Sequence, residues 1–191
     1  MNPPGARTVN ARPAGGDRDE AGPADGSPQR DFRQAMRKLV TGVSVVTAMA
    51  RGRPYGMTVN SLISVSLEPP LLLVSLAASS RTTEAVRTAG RFGVSILSAA
   101  QEMIARRFAA PGTDHYEGLP VAYGDHDVPI VPNALVHLEC TVDQTVTAGD
   151  HLLVVAKVDR VCQRAGDPLA LREGLFGDFA DRGHEPVLWA F

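Results

Sequence analysis

The 191-residue chain has only two cysteines, Cys140 and Cys162. Both fall in strand-like patterns without CxxC spacing. A disulfide framework, a zinc site and a thiol nucleophile are therefore disfavoured, and both are expected to be small core side chains. Histidines are few and scattered: His115, His126, His137 and His184 show neither HExxH nor any paired spacing, so no metal site is expected. Charge of either sign is missing in excess. Lysine plus arginine number 19 and aspartate plus glutamate 21, a net −2 that leaves no footprint for nucleic acid. No run approaches the roughly 18 apolar residues of a membrane helix. The N-terminus lacks an apolar signal core, and a cytoplasmic location is expected. There is no GxSxG elbow, P-loop, GxGxxG or internal repeat, which removes hydrolase, kinase and Rossmann readings.

What remains is ordinary globular material, 44% hydrophobic and 21% charged. Residues 1–30 are dense in Pro, Gly, Ala, Asp and Arg with almost nothing to bury, so a disordered tail is expected there. Residues 31–191 are left as one domain of roughly 160 residues. Asp31 is placed to cap a helix carrying Phe32, Ala35, Met36, Leu39 and Val40, with Gly42 as its stop. Strands are expected at 43–50, 55–61, 62–66 and 91–97. Ser80 or Thr82 would cap a helix ending at Gly90, and Ser98 with Gln101 forms a capping-box pattern before a second helix. Residues 111–132 make a long Gly/Pro/Asp/His loop, a length that points to function or a lid. A long β-hairpin follows, 134–147 and 151–162, turning at Gly149-Asp150, and the chain closes on a short strand at Leu175-Phe176 and on Val187-Leu188-Trp189. About six or seven strands with two or three helices in hairpin order predict a mainly β fold, a small antiparallel barrel with flanking helices.

The most informative stretch runs from Tyr55 to Thr82. Small hydroxyl-rich residues Gly56 to Ser61 precede an apolar run, Leu71 to Leu76, which reads as a central strand buried on both faces. A Ser/Thr cluster, Ser79, Ser80, Thr82 and Thr83, then precedes a helix. Small polar groups and free amides at the ends of buried strands suit a planar, phosphate-bearing ligand.

GMTVNSLISVSLEPPLLLVSL, SSRT, RFGVSIL, MIARRF and GDHLLVVAKV, in this order, resemble the flavin reductase family, the FMN-binding split-barrel proteins that serve two-component flavin monooxygenases. The resemblance covers about Phe32 to Phe179. It implies an NAD(P)H-dependent reductase that reduces FMN or FAD with NADH or NADPH and supplies reduced flavin to a partner monooxygenase. It also implies a homodimer, in keeping with the apolar runs at Leu71–Leu76 and Leu152–Val155. Cofactor-binding roles are expected for Met57, Thr58, Val59, Asn60 and Ser61 at the ring. Ser75, Ala77, Ser80 and Thr82 are expected at the phosphate, with Arg106, Arg107 and Phe108 beside the flavin. His151 is expected on the nicotinamide side, where it is the one candidate catalytic group. Hydride transfer needs no obligatory general base, so these residues position ligands more than they react. Two alternatives stay open: a flavin- or haem-binding barrel without turnover, as carrier or sensor, and a pyridoxamine-phosphate-oxidase-like flavin oxidase.

Overall fold

The computed structural model describes residues 27–112, 114–119, 121–179 and 183. The expected disorder of residues 1–26 and the closing Val187-Leu188-Trp189 run lie outside them. Helix α1 (Pro28–Met36) starts earlier than the tail boundary predicts, because Pro28 supplies a preset φ at the first helical position behind an extended Ser27. Asp31 therefore sits in the first turn and is not the cap. The helix also stops at Met36, well short of Gly42, since the following chain turns to pair Thr41 and Gly42 with Leu171 and Ala170. None of α1 is buried. Its tie to the body is the strap Arg37–Lys38, which meets the backbone and carboxylate of Glu173.

The strands are β1 (Thr41–Gly42), β2 (Ser44–Ala50), β3 (Arg53–Val59), β4 (Ile63–Leu67), β5 (Pro70–Ala77), β6 (Arg91–Ile96), β7 (Ala122–Tyr123), β8 (Pro129–Ile130), β9 (Val136–Ala148), β10 (His151–Gln163), β11 (Leu169–Arg172) and β12 (Leu175–Asp178). Helix α2 (Arg81–Ala89) lies between β5 and β6, and α3 (Glu102–Ala109) follows β6 through a 3₁₀ turn. The mainly β, antiparallel class is as expected. Seven strands form the main sheet in the order β3-β2-β6-β9-β10-β5-β4, with β3 and β4 at its two ends, so the sheet is open and not hydrogen-bonded into a closed barrel. The β9–β10 hairpin forms its spine, thirteen residues on each side of Gly149-Asp150, where Gly149 takes φ +61.

Two cores lie on opposite faces of the sheet. One gathers Val46, Val74, Val86, Phe92, Val94 and Val154 beneath α2; the other gathers Val43, Val45, Leu97, Ala105, Phe108 and Val131 beneath α3. Adjacent residues Val45 and Val46 thus face different cores, and the strands buried on both faces are β2 and its neighbour β6. The Leu71–Leu76 run was expected in that role. It lies next to the edge instead, and only Leu72, Val74 and Leu76 are fully buried. Cys140 is buried, and desolvation, then the nearby Asp159 and Glu139 carboxylates, push its thiol up to about 12. Cys162, expected in the core, is exposed near the end of β10. Strand β11, which no sequence pattern marked, pairs with both β1 and β12.

The long loop is partly ordered by the β7–β8 pair and by one buried carboxylate. Glu139, on β9, accepts from the backbone N–H of Asp125 at 2.8 Å and of His126 at 2.9 Å. The His126 ring lies 3.0 Å from the same carboxylate. Glu139→Ala would leave these amides unpaired in a site where Glu139 is 5% exposed. A loss of about 2–4 kcal/mol in denaturant unfolding is expected, and a smaller loss for Glu139→Gln. A stability equal to wild type would show that the carboxylate does not anchor the loop.

Candidate active site

A cavity of about 360 Å³ opens where the outer half of β3, the start of α2, the end of α3 and residues 114–116 converge. Its lining includes Arg53, Gly56, Met57, Ser79 to Thr82, Phe108, Asp114, His115 and Tyr116. Each wall has a local cause. Ser80 is extended and caps α2, accepting from the Thr82 N–H at 3.1 Å, and its hydroxyl lies 3.4 Å from Met57 Sδ. Gly90 ends α2 in the left-handed conformation. The positive end of the α2 dipole and its first-turn amides therefore border the cavity.

The Ser98–Gln101 capping box anticipated above opens the 3₁₀ turn that leads into α3, and Phe108 in the last turn of α3 is 3% exposed. A Cβ on Gly56 would lie 2.6 Å from Phe108 Cε1, so the ring occupies space that only glycine leaves free. Tyr116 meets Phe108 edge-on, with centroids 5.2 Å apart. The Tyr116 hydroxyl is buried without a partner among the described residues, and desolvation raises its pKa well above the usual phenol range. At the mouth, Arg53 pairs with Asp114 at 3.3 Å, and the other Asp114 oxygen accepts from the Tyr116 N–H.

Of the residues expected from sequence, the structure brings Met57, Ser80, Thr82 and Phe108 to the cavity wall. Thr58 donates to Ala105 O at 2.7 Å, joining β3 to α3, and Val59 is buried in the core. Asn60 is exposed beyond the strand end. Ser61 donates to Ser75 O at 2.7 Å and accepts from Ser75 N–H at 3.3 Å, so these two serines join the chain before β4 to β5. Ala77 O accepts from Ser80 N–H and from the Thr83 hydroxyl, fixing the approach to α2.

Arg106 and Arg107 do not line the cavity. Arg106 pairs with Glu102 and lies 5.0 Å above the Phe176 ring. Arg107 donates to the carbonyls of His115 and Glu117. His151 also lies outside the wall, opposite Ala77 in register, with Nδ1 2.7 Å from Asp150. That hydrogen bond, then the His151 charge, holds the Asp150 carboxyl below its usual range. The Asp150 carbonyl accepts from Ala78 N–H, which ties this turn to the lead into Ser79.

Sequence reasoning passed over Arg53, Asp114, His115 and Tyr116. Their one signal was membership of a turn or of a loop too long to be a plain connector. Gly56→Ala should destabilise the fold by about 1–3 kcal/mol through its clash with Phe108. Adding Phe108→Leu should recover part of that loss in a double-mutant cycle; strict additivity would show that the two positions do not press on each other.

Residues 36–179 match the model of the flavin reductase like domain. The chain is 42% identical over 155 residues to an FMN reductase (NADH) of Agrobacterium fabrum, covering 81% of this chain and 88% of that protein. It is 40% identical over 173 residues to an NADH:riboflavin 5′-phosphate oxidoreductase of Streptomyces pristinaespiralis, covering 90% and 88%. Among solved structures, an NADH:FAD oxidoreductase of Streptomyces globisporus superposes with a TM-score of 0.75 at 32% identity, covering 82% of this chain and 96% of that one. A nitrilotriacetate monooxygenase component B homologue of Mycobacterium thermoresistibile gives 0.79 at 32% identity, covering 85% and 92%. On this match of sequence and fold, the chain belongs to the flavin reductase family.

Proposed function

We propose that this family member is an NAD(P)H:flavin oxidoreductase, which reduces FMN or FAD and hands the reduced flavin to a separate monooxygenase. The observation that carries this reading is the cavity itself, with a helix N-terminus on one side and the Phe108 wall on the other. Its volume of about 360 Å³ suits a nucleotide-sized ligand. Ser80, Thr82 and the first-turn amides of α2 would hold a phosphate, with Arg81 adding charge. Met57 and Phe108 would contact the ring and keep water from it. Thr58 to Ser61, with Ser75 and Ala77, would support it from the strand ends, and Arg107 would act at one remove by holding the loop. In this reading Arg106 and His151 would act from outside the wall, His151 on the nicotinamide side.

When bound, the flavin supplies the hydride acceptor for the nicotinamide. The protein then has to orient the rings and exclude water, and no residue of the wall is required to carry a proton. Relatives named as NADH-dependent reductases and as reductase components of monooxygenases support both halves of the reading. Among the described residues no helix is long and apolar enough to cross a membrane. Since a freely diffusing nucleotide is the reductant, the cytoplasm is the location this reading requires.

A homodimer completes it. By register, Ile63 on β4, Leu73 on β5 and Val155 on β10 share the face opposite Leu72, Val74 and Val154. Ile63 is 56% exposed, and no element of the same chain covers that face among the described pairings. An apolar sheet face of this kind fits a second copy. Ile63→Asp should halve the mass seen by sedimentation with the fold retained; an unchanged mass would place the dimer contact elsewhere.

The reaction is tested by NADH and NADPH oxidation with added FMN and FAD. No flavin-dependent rate in any pairing would sink the enzyme reading. Ser80→Ala should weaken FMN binding about tenfold and leave riboflavin, which lacks the phosphate, nearly unchanged. Equal losses for both would remove Ser80 from the phosphate site.

A further inference from the structure

His115 has no part in the function proposed so far, yet both of its ring nitrogens are tied to backbone carbonyls of other segments. Nδ1 lies 2.7 Å from Gly56 O on β3, and Nε2 lies 2.8 Å from Ala110 O just past α3. A carbonyl oxygen can only accept, so both ring nitrogens must donate. A neutral imidazole has one N–H, and only the imidazolium makes both bonds. The ring also packs on Phe108, centroids 5.4 Å apart. One side chain thereby fastens residues 114–119 to β3 and to α3 together. Arg107 adds its two bonds to the His115 and Glu117 carbonyls from the helix side.

We propose that His115 is a proton-dependent latch, which in its imidazolium form holds residues 114–119 closed as a wall of the cavity. Losing the second proton removes one of the two bonds and loosens that wall. Flavin affinity then falls, a consequence that rests on the function proposed above, whereas the latch does not. The closed state binds the proton and the open state releases it. Closure is therefore favoured toward acid pH and weakened toward alkaline pH.

Other charged or titratable groups border the site. Arg53 and Asp114 pair with each other at the mouth, Arg81 faces in from α2, and Arg107 approaches from α3. Tyr116, beside it, has its hydroxyl pushed further from ionisation by burial. These are side-chain types that keep their charge between about pH 5.5 and 8.5. His126 and His151 are held by other partners, Glu139 and Asp150. His115 is thus the imidazole whose two acceptors tie this wall to β3 and to the end of α3.

The test is hydrogen exchange of 114–119 in the full-length protein without flavin, at about pH 5.5 and about pH 8.5, expressed as protection corrected for intrinsic exchange. Wild-type protection should fall about tenfold between the two. His115→Arg, a fork of donors charged at both pH values, should stay flat, and His115→Ala should be weakly protected at both. FMN affinity on the same samples should track protection in wild type and lose its pH dependence in H115R. Protection independent of pH in wild type, or an equal fall in H115R, would overturn the latch. Protection that follows the expected pattern with no flavin bound at either pH would support the latch and overturn the ligand reading.

Discussion

Phe108 lies against the bare backbone of Gly56, and the site depends on that contact. The ring fills the space where any other residue at position 56 would carry Cβ, which draws the end of α3 onto β3. From there Thr58 bonds to the α3 backbone, His115 bridges Gly56 and Ala110, and Tyr116 closes edge-on over the same ring. A cavity between two elements needs a fixed separation between them. Here one aromatic side chain sets it, and a close-packed ring cannot give way without cost.

The fold was legible wherever a local pattern coincided with its tertiary role. The β-branched run at 44–50, the hairpin about Gly149-Asp150, the Gly90 stop and the Ser98–Gln101 capping box each carry their own cause in a few adjacent residues. The failures share another cause. Leu71 to Leu76 reads as fully buried because all but one of its residues are apolar, but alternation along the strand sends Leu71 and Leu73 to the other face, where they are only half-buried among the described residues. The apolar content of a run does not say which of its two faces the sheet buries. The exposed Phe32, Met36, Leu39 and Val40 about α1 raise the same point at the other end of the chain.

The site was legible in part for a related reason. Ser80 and Thr82 were found because a helix start advertises itself in sequence, and Met57 and Phe108 because the resemblance named them. His115 and Tyr116 were missed because their partners are backbone carbonyls and a ring contributed by residues from five to 59 positions away. A backbone acceptor has no identity in the sequence, so a histidine that uses two of them looks like any scattered histidine.

The arginine pair makes the sharpest case. Arg106-Arg107 was read as one basic helix end, but adjacent residues on a helix point about 100° apart and cannot share a target. Arg106 turns toward Glu102 and Phe176, while Arg107 reaches the carbonyls of residues 115 and 117. Neither guanidinium is in the wall, whose basic side chains among the described residues are Arg53, Arg81 and His115. Of these, Arg53 is engaged with Asp114 at the mouth. Beside Arg81, the α2 amides and dipole border the cavity, and these are fixed by the fold and indifferent to pH. Any pH sensitivity in binding has to enter through the wall that closes the cavity, and that is where the histidine stands.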